Sequence, residues 1–376
     1  MTRGRFAPSP TGRMHLGNVF CALLSWLSAK SKGGEWVLRI EDLDPQRSKK
    51  DYALQLMDDL QWLDLPWDGE PVWQSQRGEI YEEYLQRLTD MRLTYPCYCT
   101  RADIMATQAP HETDGRVVYK GTCRPNTPSP STAQTVPLRQ GDERSGGGGL
   151  QPAHSSQLTV NRSPLTATTR LIVPDCTIPF TDGHYGKHDI NLAEHCGDYI
   201  IRRKDGAWAY QLAVVVDDAL MGVTEIVRGR DLLLSSPQQI HLRELLFGER
   251  ENGKRKTITD VARSVPTATS LTPQTVPLRQ GDERSGGGGL AIKPSPLTVN
   301  FFHHPLLCNA EGQRLCKRDK SMNLGYLRDK DTPPQEIIGL LAHLAGLTET
   351  PAPITPQELI PLFSWNKVPT EDIITL

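Results

Sequence analysis

The residues best suited to handling a phosphate stand near both ends of the chain. At the front, Arg5-Phe-Ala-Pro-Ser-Pro-Thr-Gly12 runs into Arg13-Met-His15-Leu-Gly17-Asn18, and near the back comes Arg314-Leu-Cys316-Lys317-Arg318. Unpaired backbone N–H groups and the positive end of the dipole make the first turn of a helix a seat for an anion. A histidine and an asparagine placed there can hydrogen-bond that anion. A second patch bearing Lys317 suits the same kind of ligand, so one nucleotide held between the two is the economical reading. Cys97-Tyr-Cys99, with Cys123 downstream, offers thiolates for a metal, but tetrahedral coordination needs a fourth ligand that spacing does not choose, His111 being one candidate. Glu41-Asp-Leu-Asp44-Pro, taken alone, reads as a solvated turn.

These groups need elements to position them. Arg5-Phe-Ala reads as a short strand, the following prolines forbid helix, and Leu16, Val19, Phe20, Leu23, Leu24 and Leu27 recur at helical spacing. His15 and Asn18 therefore fall in the first turn of a helix. Trp36 to Ile40 reads as a buried strand that delivers Glu41 to its carboxyl end, where open α/β sheets bind ligands. Ser48-Lys-Lys-Asp51 reads as a capping box opening a helix, and Ser75 opens another. The tryptophans at 62, 67 and 73 read as packing anchors. The run 183–196, with three histidines and a cysteine, reads as a solvated loop. Asp198 to Gly206 suggests a strand and turn, and Thr224 to Gly229 a strand with Arg228 at its end. The apolar run from Trp208 to Asp218 fits either helix or strand. Ser236-Pro237 starts a helix, and another spans Ile337 to Leu347.

With 376 residues, 38% apolar and 23% charged, the chain is an ordinary globular protein with room for two or three domains. A formal net charge of -2 announces no global field for nucleic acid, although a local basic face would serve equally well. No apolar run reaches membrane-span length and no secretory signal is visible, so no membrane is expected and a cytoplasmic location is. Eight cysteines without an export signal favour thiols and metal ligands over disulfides. Two stretches, 127–168 and 249–299, shift to Pro, Ser, Thr and Gly, and contain one 17-residue string repeated letter for letter at 134–150 and 274–290. Four successive glycines order poorly, so both read as flexible inserts. Lengthening a connection in this way costs only about 2 kcal/mol, because closure entropy grows logarithmically.

Taken together, His15-Leu-Gly-Asn18 and Arg314 to Arg318 resemble the first ATP motif and the lysine-bearing loop of class I aminoacyl-tRNA synthetases of the glutamyl type. Within that group the chain is most similar to the short glutamyl-queuosine members. The resemblance implies an α/β fold: a class I Rossmann-type catalytic core, a small inserted zinc-bearing domain and a short helical C-terminal tail. It places the first half of the core at 1–94, the zinc domain at 95–197, the second half at 198–312, and the lysine loop with its tail at 313–376, without an anticodon-binding domain. ATP would be held by His15, Gly17, Asn18 and Lys317, with His15, Asn18 and Lys317 stabilising the charge that develops on the phosphate. Glutamate would be held by Arg5, Phe6, Ala7, Pro8, Ser9, Glu41, Tyr210 and Arg228, with Glu41 on the ammonium. One structural Zn2+ would sit on Cys97, Cys99, Tyr119 and Cys123. The implied reaction joins L-glutamate to Mg2+-bound ATP as an adenylate, then passes it to the queuosine base of tRNA(Asp); the enzyme would act as a monomer. The family pattern Lys-Leu-Ser-Lys is here Arg314-Leu-Cys316-Lys317, which keeps the charge but loses a hydrogen-bond donor. Two rival readings are a truncated glutamyl-tRNA synthetase charging tRNA(Glu) and a non-catalytic paralogue that binds RNA or nucleotide.

Overall fold

The computed structural model describes residues 1–106, 118–119, 121–125, 167–248, 250–251, 254–255, 299–315 and 323–375. Both copies of the repeat, His111 and the segment Cys316 to Arg318, with Lys317, lie outside the described residues.

The chain opens with β1 (Arg3–Phe6), α1 (Leu16–Lys30), β2 (Glu35–Ile40), α2 (Lys50–Trp62), β3 (Val72–Trp73) and α3 (Gly78–Asp90). It continues through β4 (Thr94–Cys97), α4 (Arg101–Ala106), β5 (Thr168–Leu171), β6 (Thr177–Asp182), β7 (Gly186–Asn191), α5 (Leu192–His195) and β8 (Ile200–Arg202). Then come α6 (Tyr210–Leu220), β9 (Glu225–Gly229), α7 (Ser236–Phe247), a short pair β10 (Arg250–Glu251) and β11 (Lys254–Arg255), β12 (Asn300–His304) and β13 (Leu307–Cys308). Beyond them lie helices at Leu324–Asp329, Pro334–Leu344 and Pro356–Leu359, and a last strand at Ile373–Ile374 that pairs with β13.

The main sheet has the order β3-β2-β1-β9-β12-β6-β7, parallel except for the edge strand β7. Its central strands bury Phe6, Leu38, Ile40, Ile226 and Val227, as expected for a sheet covered on both faces. From β1 the chain moves outward to β2 and β3, and the strand that pairs with β1's other edge, β9, comes only after α6. That reversal opens a crevice above the carboxyl ends of β1 and β9, where doubly wound sheets bind ligands. A separate antiparallel sheet, β4-β5-β8, stands beside it.

Several local expectations need correcting. The helix α2 starts at Lys50 behind Lys49, with no side-chain cap. The turn after Asp44 consumes Ser48, whose N–H donates to the Asp44 carbonyl, so no capping box forms. The histidine-rich run is mostly a hairpin: β6 and β7 pair along their whole length, with Asp182 Oδ1 accepting from the N–H groups of His184 and Tyr185. This hairpin falls within 95–197, yet it extends the main sheet. The undecided run becomes α6, apolar nearly all round because it is buried between α3, α7 and β8. Trp62, Trp67 and Trp73 pack against the main core as expected.

Candidate active site

The crevice contains a cavity of about 460 Å³ lined by residues from β1 and its loop, the start of α1, Glu41, Tyr210, the end of β9, and Arg314 with Leu315. Most of the residues singled out from sequence meet here: Arg5, Phe6, Ala7, Pro8, Ser9, His15, Gly17, Asn18, Glu41, Tyr210 and Arg228 all line it. The two ends of the chain, separated by some 300 residues in sequence, are brought face to face.

The phosphate-suited corner is built by helix capping. His15 is the N-cap of α1, and its Nδ1 accepts from the Gly17 N–H at 3.1 Å. Asn18 answers with Oδ1, which accepts from the His15 N–H at 3.1 Å. Because Nδ1 is an acceptor, the proton of the neutral ring sits on Nε2, making His15 a donor without a positive charge. Gly17 is required by space: a Cβ there would come within 2.9 Å of the His15 ring. The turn is also tied to the segment beyond the lysine loop, through a bridge between His15 and Asn323 and a bond from the Leu324 N–H to the Met14 carbonyl. Across the cavity Arg314 pairs with Asp231. Cys21, also on the wall, has its thiol pushed up to about 11 by burial and stays protonated at neutral pH.

The other half of the cavity is an arginine site. Arg5 is buried, donates from Nη1 to the Val227 carbonyl at 3.0 Å and faces Asp218 at 3.5 Å. Arg39, fully buried, lies 2.6 Å from Asp218 and 3.0 Å from Glu41. Asp217 is held by Arg77 at 2.6 Å, Gln74 at 2.8 Å and the Tyr81 hydroxyl at 2.7 Å. Burial raises the Glu41 carboxyl above its ordinary pKa, while Arg39 and Arg5 pull it back. Arg228 is buried at the end of β9, where burial, with Arg5 nearby, lowers its pKa without threatening its charge. Its Nη1 donates to Gln239 at 2.7 Å and its Nη2 to Ser236 at 2.8 Å, while Nε donates to His303 at 3.0 Å. Tyr210 lies beside it at the rim, 38% exposed. Arg5, Arg39, Arg77 and Arg228 carry one charge more than Asp217, Asp218 and Glu41 together.

Sequence reading missed the groups that hold these arginines. Asp217 and Asp218 were available as a signal, since two acids inside an apolar run must be paired if buried. Asp182, His303, Gln239 and Ser236 offered none, because each gains meaning only from a residue far along the chain.

In the smaller sheet Cys97, Cys99 and Cys123 place their sulfurs within 4.8 Å of one another, a group that can hold a metal ion. The Tyr119 hydroxyl lies 3.4 Å from Cys97 Sγ and 3.8 Å from Cys99 Sγ, and accepts from the Cys123 N–H at 2.7 Å. Burial opposes ionisation of Cys123, but hydrogen bonds from the Tyr98 backbone, Tyr119 and Cys99 outweigh it and bring the thiol down to about 7. Gly197 bridges to Tyr119 at φ +60, where a Cβ would lie 2.5 Å from the Tyr119 carbonyl oxygen. No helix among the described residues is long and apolar enough to cross a membrane.

Comparison with known proteins agrees with this geometry. The family model for tRNA synthetases class I (E and Q), catalytic domain, matches residues 1–135 and 144–263. The chain is 37% identical over 383 residues to the glutamyl-Q tRNA(Asp) synthetase of Symbiobacterium thermophilum, covering 99% of this chain and 95% of that one. It is 43% identical over 360 residues to the enzyme of that name from Neisseria gonorrhoeae, covering 96% and 93%. A crystal structure of a glutamate tRNA ligase from Elizabethkingia meningosepticum matches with a TM-score of 0.65 at 23% identity, over 99% of this chain and 66% of that one, a likeness of fold alone. On the strength of the matched catalytic domain and of relatives aligned over almost their whole length, the chain belongs to the class I glutamyl and glutaminyl tRNA synthetases, and among them to the glutamyl-Q tRNA(Asp) synthetases.

Proposed function

We propose that the protein activates L-glutamate with Mg2+-bound ATP and transfers it to the queuosine base of tRNA(Asp). The observation that carries this reading is the convergence of Arg5, Arg228 and Glu41 in one cavity with the capped turn of His15. The arginines take the two carboxylates of glutamate and Glu41 its ammonium. Phe6 to Ser9 supply the wall along the substrate, and Tyr210 closes its rim. Glutamine would leave a buried arginine facing an amide, and discrimination of about 10⁴-fold follows from such unpaired groups.

In the first step the α-carboxylate of glutamate attacks the α-phosphate of ATP, and pyrophosphate leaves. His15 Nε2–H, the Asn18 amide, the α1 backbone N–H groups including that of Gly17, and Lys317 stabilise the charge that develops. No protein nucleophile is needed, since positioning and electrostatics supply the catalysis. In the second step the queuosine base takes the glutamyl group from the adenylate and releases AMP.

Cys97, Cys99, Cys123 and Tyr119 are assigned to one structural zinc ion. Three clustered sulfurs and a hydroxyl form a donor set that suits zinc. The ion would fasten the β4-β5-β8 unit, whose third strand lies just beyond the 95–197 segment, between core halves at 1–94 and 198–312, with the lysine loop and a helical tail at 313–376. The enzyme acts as a monomer in the cytoplasm.

The test is glutamate-dependent pyrophosphate exchange without RNA, followed by transfer of labelled glutamate to queuosine-containing tRNA(Asp), to the same tRNA with guanine in place of queuosine, and to tRNA(Glu). Transfer to the first alone supports the proposal. Transfer to tRNA(Glu) replaces it with a tRNA-charging enzyme, and absence of exchange removes it in favour of a non-catalytic binder.

A pH dependence follows from Glu41. Its carboxylate must be charged to hold the ammonium, and burial raises its pKa. The KM for glutamate should therefore rise as pH falls, beginning above the ordinary carboxylate range near 4.3. Glu41→Gln should flatten that limb of the profile; an unchanged profile in the variant would rule Glu41 out as its source.

A further inference from the structure

We infer that Asp182 and His303 form a positioning pair that fixes the orientation of Arg228 by fixing one tautomer of an imidazole. The inference rests on Arg228 as a glutamate-binding residue and adds the device that aims it.

All three side chains are buried. Asp182 Oδ2 lies 2.7 Å from His303 Nδ1, and on the other side of the ring Nε2 lies 3.0 Å from Arg228 Nε. A guanidinium only donates, so Nε2 must be the unprotonated acceptor and the proton must sit on Nδ1, directed at Asp182. The imidazole is thus neutral. Burial, opposed by Asp182, lowers the His303 pKa to about 4, which agrees with that state. Asp182 remains ionised: burial works against it, but the bond to His303 and the N–H groups of Tyr185 and His184 hold its pKa below the ordinary value.

The arrangement uses the Arg228 donors selectively. His303, Gln239 and Ser236 take one N–H from each nitrogen, and the guanidinium lies over the Phe301 ring at 5.3 Å. Of five N–H donors, these three leave one on each terminal nitrogen, where the Tyr210 hydroxyl also hydrogen-bonds the guanidinium and a ligand carboxylate would share or displace it. These two are what a carboxylate can receive from a guanidinium already locked in place, so little ordering is left to occur on binding.

Asp182 cannot be replaced by its amide without consequence. Its Oδ1 accepts from the backbone N–H groups of His184 at 3.0 Å and Tyr185 at 2.9 Å, so an asparagine there must keep its oxygen on that side. Its NH2 group then faces His303 Nδ1 as a donor. The ring must shift its proton to Nε2, which puts an N–H against the Arg228 N–H.

The experiment compares wild type with Asp182→Asn. Nitrogen-15 NMR of labelled histidine, with His303 assigned by His303→Gln, should show Nδ1–H in wild type and Nε2–H in Asp182→Asn. In pyrophosphate exchange, the glutamate KM should rise by about tenfold to a hundredfold, the range known for losing the carboxylate behind a metal-bound histidine, a comparable orienting role. The ATP KM should stay within about twofold, since the ATP corner is untouched, and a merely structural loss would move both. Should Asp182→Asn fail to fold, His303→Gln keeps an acceptor for Arg228 and should outperform His303→Leu on glutamate KM. An Nε2–H ring or an imidazolium in wild type overturns the inference, as does an inverted tautomer with an unchanged glutamate KM, or equal KM values in the glutamine and leucine variants. Wild type with the Nδ1–H ring but no glutamate-dependent exchange would overturn the substrate reading, because the tautomer is read without substrate.

Discussion

Arg228→Met should lower kcat/KM for glutamate in pyrophosphate exchange by about 10²-fold to 10⁴-fold, while the KM for ATP stays near wild type. A buried carboxylate left without its partner costs about 3–5 kcal/mol, which is where this factor comes from. The environment makes the loss hard to repair. His303, Gln239 and Ser236 all point at Arg228, and methionine would leave Gln239 Oε1 without that partner and His303 Nε2 with only the Ser236 hydroxyl at 3.4 Å. Arg228→Lys should fall between the two, because a lysine restores charge without the planar fork that reaches three fixed partners and a carboxylate together. Thermal melting must accompany the kinetics, since the same unpaired groups also cost stability. A folded Arg228→Met protein within tenfold of wild type for glutamate would remove Arg228 from the substrate site.

Removal of metal from the cysteine cluster should cause the largest change in stability. Structural zinc contributes on the order of 10 kcal/mol in small metal-dependent units. Among the described residues the β4-β5-β8 sheet has a small cluster of its own around Tyr95, Cys97 and Tyr119, while Leu171 and Ile201 reach into a larger one. With so little apolar burial in its own cluster, the unit should depend on the ion, and a strong chelator should abolish its cooperative unfolding transition. Metal analysis of the purified protein should give one zinc per chain. Cys99→Ser should reproduce the chelated state without chelator. Tyr119→Phe distinguishes the phenol as a ligand from the phenol as packing: loss of a ligand should weaken zinc binding by about tenfold to a hundredfold, with the ring's stacking under Arg170 at 3.8 Å preserved. A protein without zinc, and with a melting curve indifferent to chelator, would leave the cluster as ordinary thiols.

Both predictions depend on residues that sequence and structure made visible in different ways. His15, Gly17 and Asn18 were legible because helix capping is local: the acceptor, the close-approach glycine and the answering asparagine lie within four residues. Glu41 was placed at a sheet's carboxyl edge by the buried strand before it, but only the family resemblance raised it above a solvated turn. The three cysteines were legible as thiols close in sequence, although only the fold brings the Tyr119 hydroxyl among them.

The sequence by itself determined the alternation of strands and helices at the front of the chain and the anion corner at the start of α1. These follow from the spacing of apolar side chains and from hydrogen bonds that span one turn. The tertiary structure alone decided that α6 is a helix, because a run apolar on every side takes its form from what surrounds it. It alone decided that the hairpin 177–191 extends the main sheet, because strand pairing is a choice of partner. The same holds for Arg39 against Asp218, and for Asp182 and His303 behind Arg228, pairs separated by more than 70 residues. A buried charge must find a counter-charge, but only the packed fold says which one it meets.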